Sequence, residues 1–159
     1  MIIITYTTEY RSAGDKFQRV AETMAEELHA HGEVKCVKIE SKRDLKEIFF
    51  NLENANQTIS EFHFVGHSGM YGPMFGTESY PEQFSPHEWR NLKIPFSENG
   101  KAYFHCCRSA RWFANFFAQT FKTETYGYNW YTTFSKSPVK FRKEWKETGS
   151  LYSIGCKGR

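Results

Sequence analysis

Two short apolar runs limit what this chain can fold into more than any other feature. They are Glu61-Phe62-His63-Phe64-Val65-Gly66-His67-Ser68-Gly69 and Lys101-Ala102-Tyr103-Phe104-His105-Cys106-Cys107-Arg108-Ser109. Each is rich in aromatic and β-branched residues and breaks into small and polar residues at its C-terminal end, which reads as a buried strand running into a functional loop. Alternation along a strand puts His63, Val65 and His67 on one face and His105 with Cys107 on one face, with Cys106 turned the other way. Taken alone, a strand cysteine is a small buried hydrophobe. A histidine ending a neighbouring parallel strand changes that reading, because open α/β sheets carry their chemistry at the C-terminal edge of the strands. A thiol beside an imidazole can be activated as a thiolate nucleophile. Cys107 is therefore the candidate nucleophile and His67 the candidate base.

The order of the remaining elements agrees. Met1 to Tyr6 reads as a buried strand. Asp15 is a candidate N-cap for a helix whose apolar positions Phe17, Val20, Ala21, Met24, Ala25 and Leu28 recur at helical spacing and which ends near Gly32. Val34 to Ile39 reads as a strand with Cys36 in the core, and Ser41 caps a helix with Leu45, Ile48, Phe49 and Leu52 inward. With Glu61 to Gly66, the chain reads β-α-β-α-β, whose right-handed crossovers give a parallel sheet. Ser68 to Pro86 reads as a long irregular loop, functional by its place after His67. A short helix follows from Pro86 to about Leu92 with Ser85 as its cap, then a turn from Pro95 to Gly100. After the cysteine strand come a helix from about Ser109 to Phe121, a strand over Thr123 to Thr133, a basic segment Lys136 to Lys146, and a strand near Leu151 to Ile154. The expectation is one α/β domain over residues 1–159, a three-layer α-β-α sandwich with a mainly parallel central sheet.

The stretch Phe64-Val65-Gly66-His67-Ser68-Gly69, with Met74-Phe75-Gly76-Thr77-Glu78 after it, resembles the histidine strand and loop of caspases. Tyr103-Phe104-His105-Cys106-Cys107-Arg108-Ser109 resembles their cysteine strand. The two residues stand 107 − 67 = 40 apart, against roughly 50 in caspases. Phe84-Ser85-Pro86-His87-Glu88-Trp89 is similar to the short helix between the catalytic strands of the wider caspase-like group, including the CHAT peptidases. The sequence departs from the pattern in holding Ser68 directly after the histidine, and His105 and Ser109 where caspases have Gln and Gly. The resemblance implies a caspase-like fold and a cysteine endopeptidase acting on protein or peptide substrates. Backbone N–H groups of Ser68, Gly69 and Cys107 are then the oxyanion donors, and His105 lines the substrate pocket. Arg11, in Arg11-Ser12-Ala13-Gly14-Asp15, resembles the caspase arginine that binds an acidic P1 side chain; a glutamate such as Glu78 or Glu124 would instead select a basic P1.

Composition narrows the rest. A net charge of +3 without a basic block argues against nucleic acid, and no apolar run approaches the roughly 20 residues of a membrane span. Ile2-Ile3-Ile4 is too short for a signal peptide core, so the four cysteines are expected as free thiols in a cytoplasmic protein. Gly66-His67-Ser68-Gly69-Met70 lacks the second glycine of a serine nucleophile elbow, and no histidine follows His105. His63, His67, His105, Cys106 and Cys107 lack a C-x-x-C pair, and alternation turns Cys106 from Cys107, which argues against zinc; the His–Cys chemistry itself requires no metal or other cofactor. Two other functions stay open: a catalytically inactive caspase-like module whose aromatic cleft binds a partner peptide, and a flavodoxin-like cofactor binder whose first strand and loop, Ile4-Thr5-Tyr6-Thr7-Thr8-Glu9, lack the phosphate-binding glycine. No feature of the sequence sets an oligomeric state.

Overall fold

A computed structural model describes residues 1–143 and 148–156. Its centre is a five-stranded sheet in the order β2-β1-β3-β7-β8, every neighbouring pair parallel. The strands are β1 (Ile2–Tyr6), β2 (Val34–Lys38), β3 (Ile59–Val65), β7 (Phe96–His105) and β8 (Glu124–Tyr126). Helices α1 (Gly14–Leu28), α2 (Lys42–Asn54), α3 (Pro86–Arg90) and α4 (Phe113–Phe121) complete a three-layer α/β sandwich.

Right-handed crossovers decide which helix covers which face. The chain steps from β1 out to β2, then reverses and moves through β3, β7 and β8. The one outward step leaves α1 alone on the front of the sheet; the returning steps put α2, α3 and α4 on the back. The back is accordingly one continuous apolar layer of Ile3, Phe62, Phe64, Phe104, Cys106, Phe49, Trp89, Phe113 and Phe117. The front core is smaller, built from Ile2, Ile4, Val65, Phe17, Val20 and Leu151. It is completed by the antiparallel hairpin of β9 (Thr132–Ser135) and β10 (Tyr152–Gly155). No described helix covers the front of β7 and β8, where Tyr103 is half-buried and Tyr126 exposed.

Local chemistry explains the helix starts. Ser41 and Asp44 form a reciprocal capping box at α2, and Ser85 and Glu88 do the same at α3. At α1 the N-cap is Ala13 rather than the expected Asp15, with φ 77° and no side-chain cap; Asp15 instead lies in the first turn, where a carboxylate suits the helix dipole.

Several boundaries differ from the sequence expectation. The long loop after His67 is not irregular: β4 (Ser68–Gly69), β5 (Gly72–Gly76) and β6 (Pro81–Gln83) form a small antiparallel sheet, and Phe75 packs into the back core. The turn expected before Lys101 belongs to β7. The helix after Cys107 starts at Phe113, four residues later than expected. The single strand expected over Thr123 to Thr133 is two, β8 and β9, in different sheets. Cys36 is exposed on edge strand β2 rather than buried. The end of the basic segment Lys136 to Lys146 lies outside the described residues. No described helix is long and apolar enough to cross a membrane.

Candidate active site

The loops that follow β1 and β3 part at the point where the strand order reverses, which is where open α/β sheets form their crevice. His67 stands there. In the β3–β7 register, Val65 faces His105, so His67 and Cys107 each lie two residues past a paired position, at the same edge of the sheet. Gly66 is what lets the chain leave β3 on this path. A Cβ there would come within 2.4 Å of Thr7 Oγ1 and 2.8 Å of the Phe64 ring, closer than any side chain tolerates.

His67 is half-buried, with the edges of Phe17 (4.9 Å between ring centroids) and Tyr10 (5.8 Å) against it. Its Nε2 lies 2.9 Å from the Ser12 carbonyl. A carbonyl only accepts, so Nε2 carries a proton and Nδ1 is the ring nitrogen left to exchange one.

Cys107 is half-buried in a cleft of about 480 Å³ lined by Ser68, Gly69, Met70, Arg108, Arg111, Trp112, Phe113 and Tyr131. Its Sγ receives the Thr132 N–H at 3.3 Å and lies 3.5 Å from Thr132 Oγ1. Ser68 Oγ–H donates to the Cys107 carbonyl, tying the loop after the histidine to the residue proposed as nucleophile. Cys106, one residue earlier, is fully buried in the back layer, and burial pushes its thiol up to about 12. The alternation that separates the two thiols is thus realised.

The turn after Cys107 is held from several sides. Arg108 has φ 58°, its N–H donates to the Trp130 carbonyl at 2.8 Å, and the Ala110 N–H donates to Tyr128 O at 3.0 Å. Buried Ser109, which stands where caspases have Gly, uses its hydroxyl on Cys106 O (2.9 Å) and Phe104 O (3.0 Å) and accepts the Tyr128 N–H (3.1 Å). Gly127 makes this approach possible, since a Cβ there would sit 2.6 Å from Ser109 Oγ.

Of the predicted site residues, Ser68, Gly69 and Cys107 line this cleft, and His67, Arg11 and His105 do not. The Arg11 guanidinium is exposed and packs over Tyr10 at 5.0 Å, beside His67. The cations of the cleft are Arg108, over the Tyr131 ring at 4.6 Å, and Arg111, over Trp130 at 4.2 Å. His105 turns its Nε2 to His63 Nδ1 at 3.2 Å, and His63 Nε2 donates to Glu61 Oε2 at 3.0 Å. With the Glu61 oxygen as acceptor, His63 Nε2 carries the hydrogen and its Nδ1 accepts from His105 Nε2–H. Burial holds the His63 imidazole at about 4 and that of His105 at about 3, the latter lowered further by His63, so both stay neutral near pH 7. Glu78 is exposed beyond β5, and Glu124 pairs with Lys101 on β7 (3.3 Å). Among the described residues, no group of three or more His, Cys, Asp or Glu side chains converges as metal ligands.

Sequence reasoning missed Ser12, Arg111, Trp112, Tyr131 and Thr132. Ser12, Tyr131 and Thr132 reach the site from other loops or strands, whereas Arg111 and Trp112 sit in the turn directly after Cys107. No protein-family model, curated protein or solved structure matches the chain.

Proposed function

We propose that this chain is a caspase-like cysteine endopeptidase in which Cys107 attacks the scissile carbonyl of a protein or peptide substrate and His67 moves the proton. The observation that carries the reading is the β3–β7 register, from which an imidazole with a free Nδ1 and a thiol in an open cleft emerge at one sheet edge. The Cys107 proton passes to His67 Nδ1, and the sulfur lone pair forms the S–C bond. The carbonyl electron pair moves to oxygen, opposite the backbone N–H groups of Ser68, Gly69 and Cys107. Collapse of this intermediate breaks the C–N bond while the imidazolium returns its proton to the leaving amine. Water then cleaves the thioester with His67 as base, releasing the acid and freeing the Cys107 sulfur for the next turnover. The Ser12 carbonyl holds the ring in the one tautomer that can do this, the part a carboxylate plays in other triads.

An acidic P1 residue fits the charge around the site. Arg11 packs over Tyr10, whose ring edge meets His67, Arg108 and Arg111 line the cleft, and none of its described lining residues is acidic. The exposed rim of Met70, Trp112, Trp130 and Tyr131 also favours the second reading, a partner-binding module without turnover. Cleavage of a peptide library varied at P1, by the wild type, Cys107→Ala and His67→Ala, separates the two. Turnover lost in both variants supports the peptidase, and an acidic preference lost in Arg11→Ala assigns that arginine. No turnover by the wild type, with Cys107 no more reactive than Cys36, leaves the binding module.

A further inference from the structure

The Cys107 sulfur is already engaged before any substrate arrives. The Thr132 N–H can only donate, so at 3.3 Å the sulfur is its acceptor; the Thr132 hydroxyl, 3.5 Å away, is free to rotate and donate as well. Hydrogen bonds to an ionised acceptor are stronger than those to a neutral one, so two donors aimed at one sulfur favour the thiolate over the thiol. The donors are also held in place. Thr132 opens β9 opposite Gly155 of β10. The residues before it are fixed from both sides: Trp130 and Tyr128 carbonyls accept from Arg108 (2.8 Å) and Ala110 (3.0 Å), and the Tyr131 carbonyl accepts the Cys156 N–H at 2.9 Å. A cradle built this way needs no rearrangement to receive the charge.

Resting on the peptidase reading above, we propose that Thr132 is a further catalytic residue, whose N–H and hydroxyl hold the Cys107 sulfur as a thiolate in the resting enzyme. The thiol proton goes to His67 Nδ1 and the electron pair stays on sulfur, so attack on a substrate begins from a thiolate–imidazolium pair. As the S–C bond forms, the sulfur loses its charge and the cradle releases it. His67 then has its proton ready for the leaving amine.

The test is site-resolved alkylation of the full chain by iodoacetamide from pH 5 to 10, with Cys36 and Cys156 as references within the same molecule. It compares the wild type with Thr132→Val, which keeps the N–H and the branched shape, and Thr132→Ser, which keeps both donors. We expect the Cys107 midpoint in T132V to rise by about one pH unit, so that alkylation slows toward tenfold at pH values below the wild-type midpoint. Above the midpoint T132V should equal or exceed the wild type, because a less stabilised thiolate is the better nucleophile. T132S should restore the wild-type curve. A T132V curve that superposes on the wild type, or that falls by one factor at every pH as a simple change in access would cause, overturns the proposal. Alkylation is read without any peptide, so absence of peptide cleavage defeats the peptidase reading separately and leaves the titration to decide this one.

Discussion

The two faces of the central sheet are cut from the same strands and serve opposite ends. On the back, the inward residues of β3 and β7 are Phe62, Phe64, Ala102, Phe104 and Cys106, all buried under α2, α3 and α4. On the front, the intervening residues are Glu61, His63, Tyr103 and His105, with His67 and Cys107 beyond the strand ends, under a single helix and a hairpin. The difference follows from where the chain reverses direction: three crossovers fall behind the sheet and one in front. A fully covered face can be purely apolar and makes the stability. A partly covered face leaves Glu61, His67 and Cys107 partly exposed, and it is there that the proposed chemistry lies. Cys106 and Cys107 show the contrast between adjacent residues.

The sharpest way to break the comparison is to exchange the two thiols' fates. Cys107→Ala should lower peptide turnover by a factor of about 10³ or more, whereas Cys106→Ala should keep turnover within a few-fold and lose only stability, read from steady-state rates beside urea midpoints. Equal losses of turnover would end the distinction. Truncation within the layers comes next. Phe104→Ala should cost about 3–5 kcal/mol of unfolding free energy, and Tyr103→Ala, its neighbour on the open front, about 1 kcal/mol, both from denaturant unfolding.

The front face should also be the acid-sensitive one. His63 and His105 take protons in the fold only near 4 and 3, against an ordinary 6.5. Above pH 6.5 both folded and unfolded chains hold them neutral and stability is at its full value. As pH falls from 6.5 toward 4 and then 3, the unfolded chain binds protons that the fold refuses, and stability is lost by a few kcal/mol. Urea midpoints from pH 8 to 4 should decline below 6.5 in the wild type and less steeply in His105→Gln. The smallest expected effect separates the helices themselves. The back helices α2 and α3 start on capping boxes, but α1 starts on Ala13 at φ 77°. Ala13→Gly should therefore raise stability by about 0.5–1 kcal/mol, while Ser41→Ala should lower it by about 1 kcal/mol.

Much of this was legible from local pattern. Strand alternation separated Cys106 from Cys107, and Ser41 and Ser85 marked helix starts. The β-α-β-α-β order foretold the parallel sheet that brings His67 and Cys107 to one edge. What stayed hidden depends on distant partners. Thr123 to Thr133 alternates like one strand, yet Gly127 must pass against Ser109, and the chain leaves the sheet there. Cys36 has a core-like pattern because strand periodicity does not reveal that β2 is an edge. His105 stands where the resemblance implies a pocket residue, but its ring is hydrogen-bonded to His63 on the neighbouring strand. Thr132, 25 residues beyond the thiol it touches, gives no sign of that in its own neighbourhood.

The central claim is that Cys107 alone among the four cysteines is a substrate-directed nucleophile, and covalent capture tests it most directly. Peptidyl acyloxymethyl ketones with acidic, basic and apolar P1 residues would be incubated with the wild type and Cys107→Ala, and the adduct mapped by mass spectrometry. The account predicts one adduct per chain, on Cys107, formed fastest with the acidic probe and absent from the variant. Labelling of Cys36, Cys106 or Cys156 in place of Cys107, or equal labelling of the variant, would contradict it.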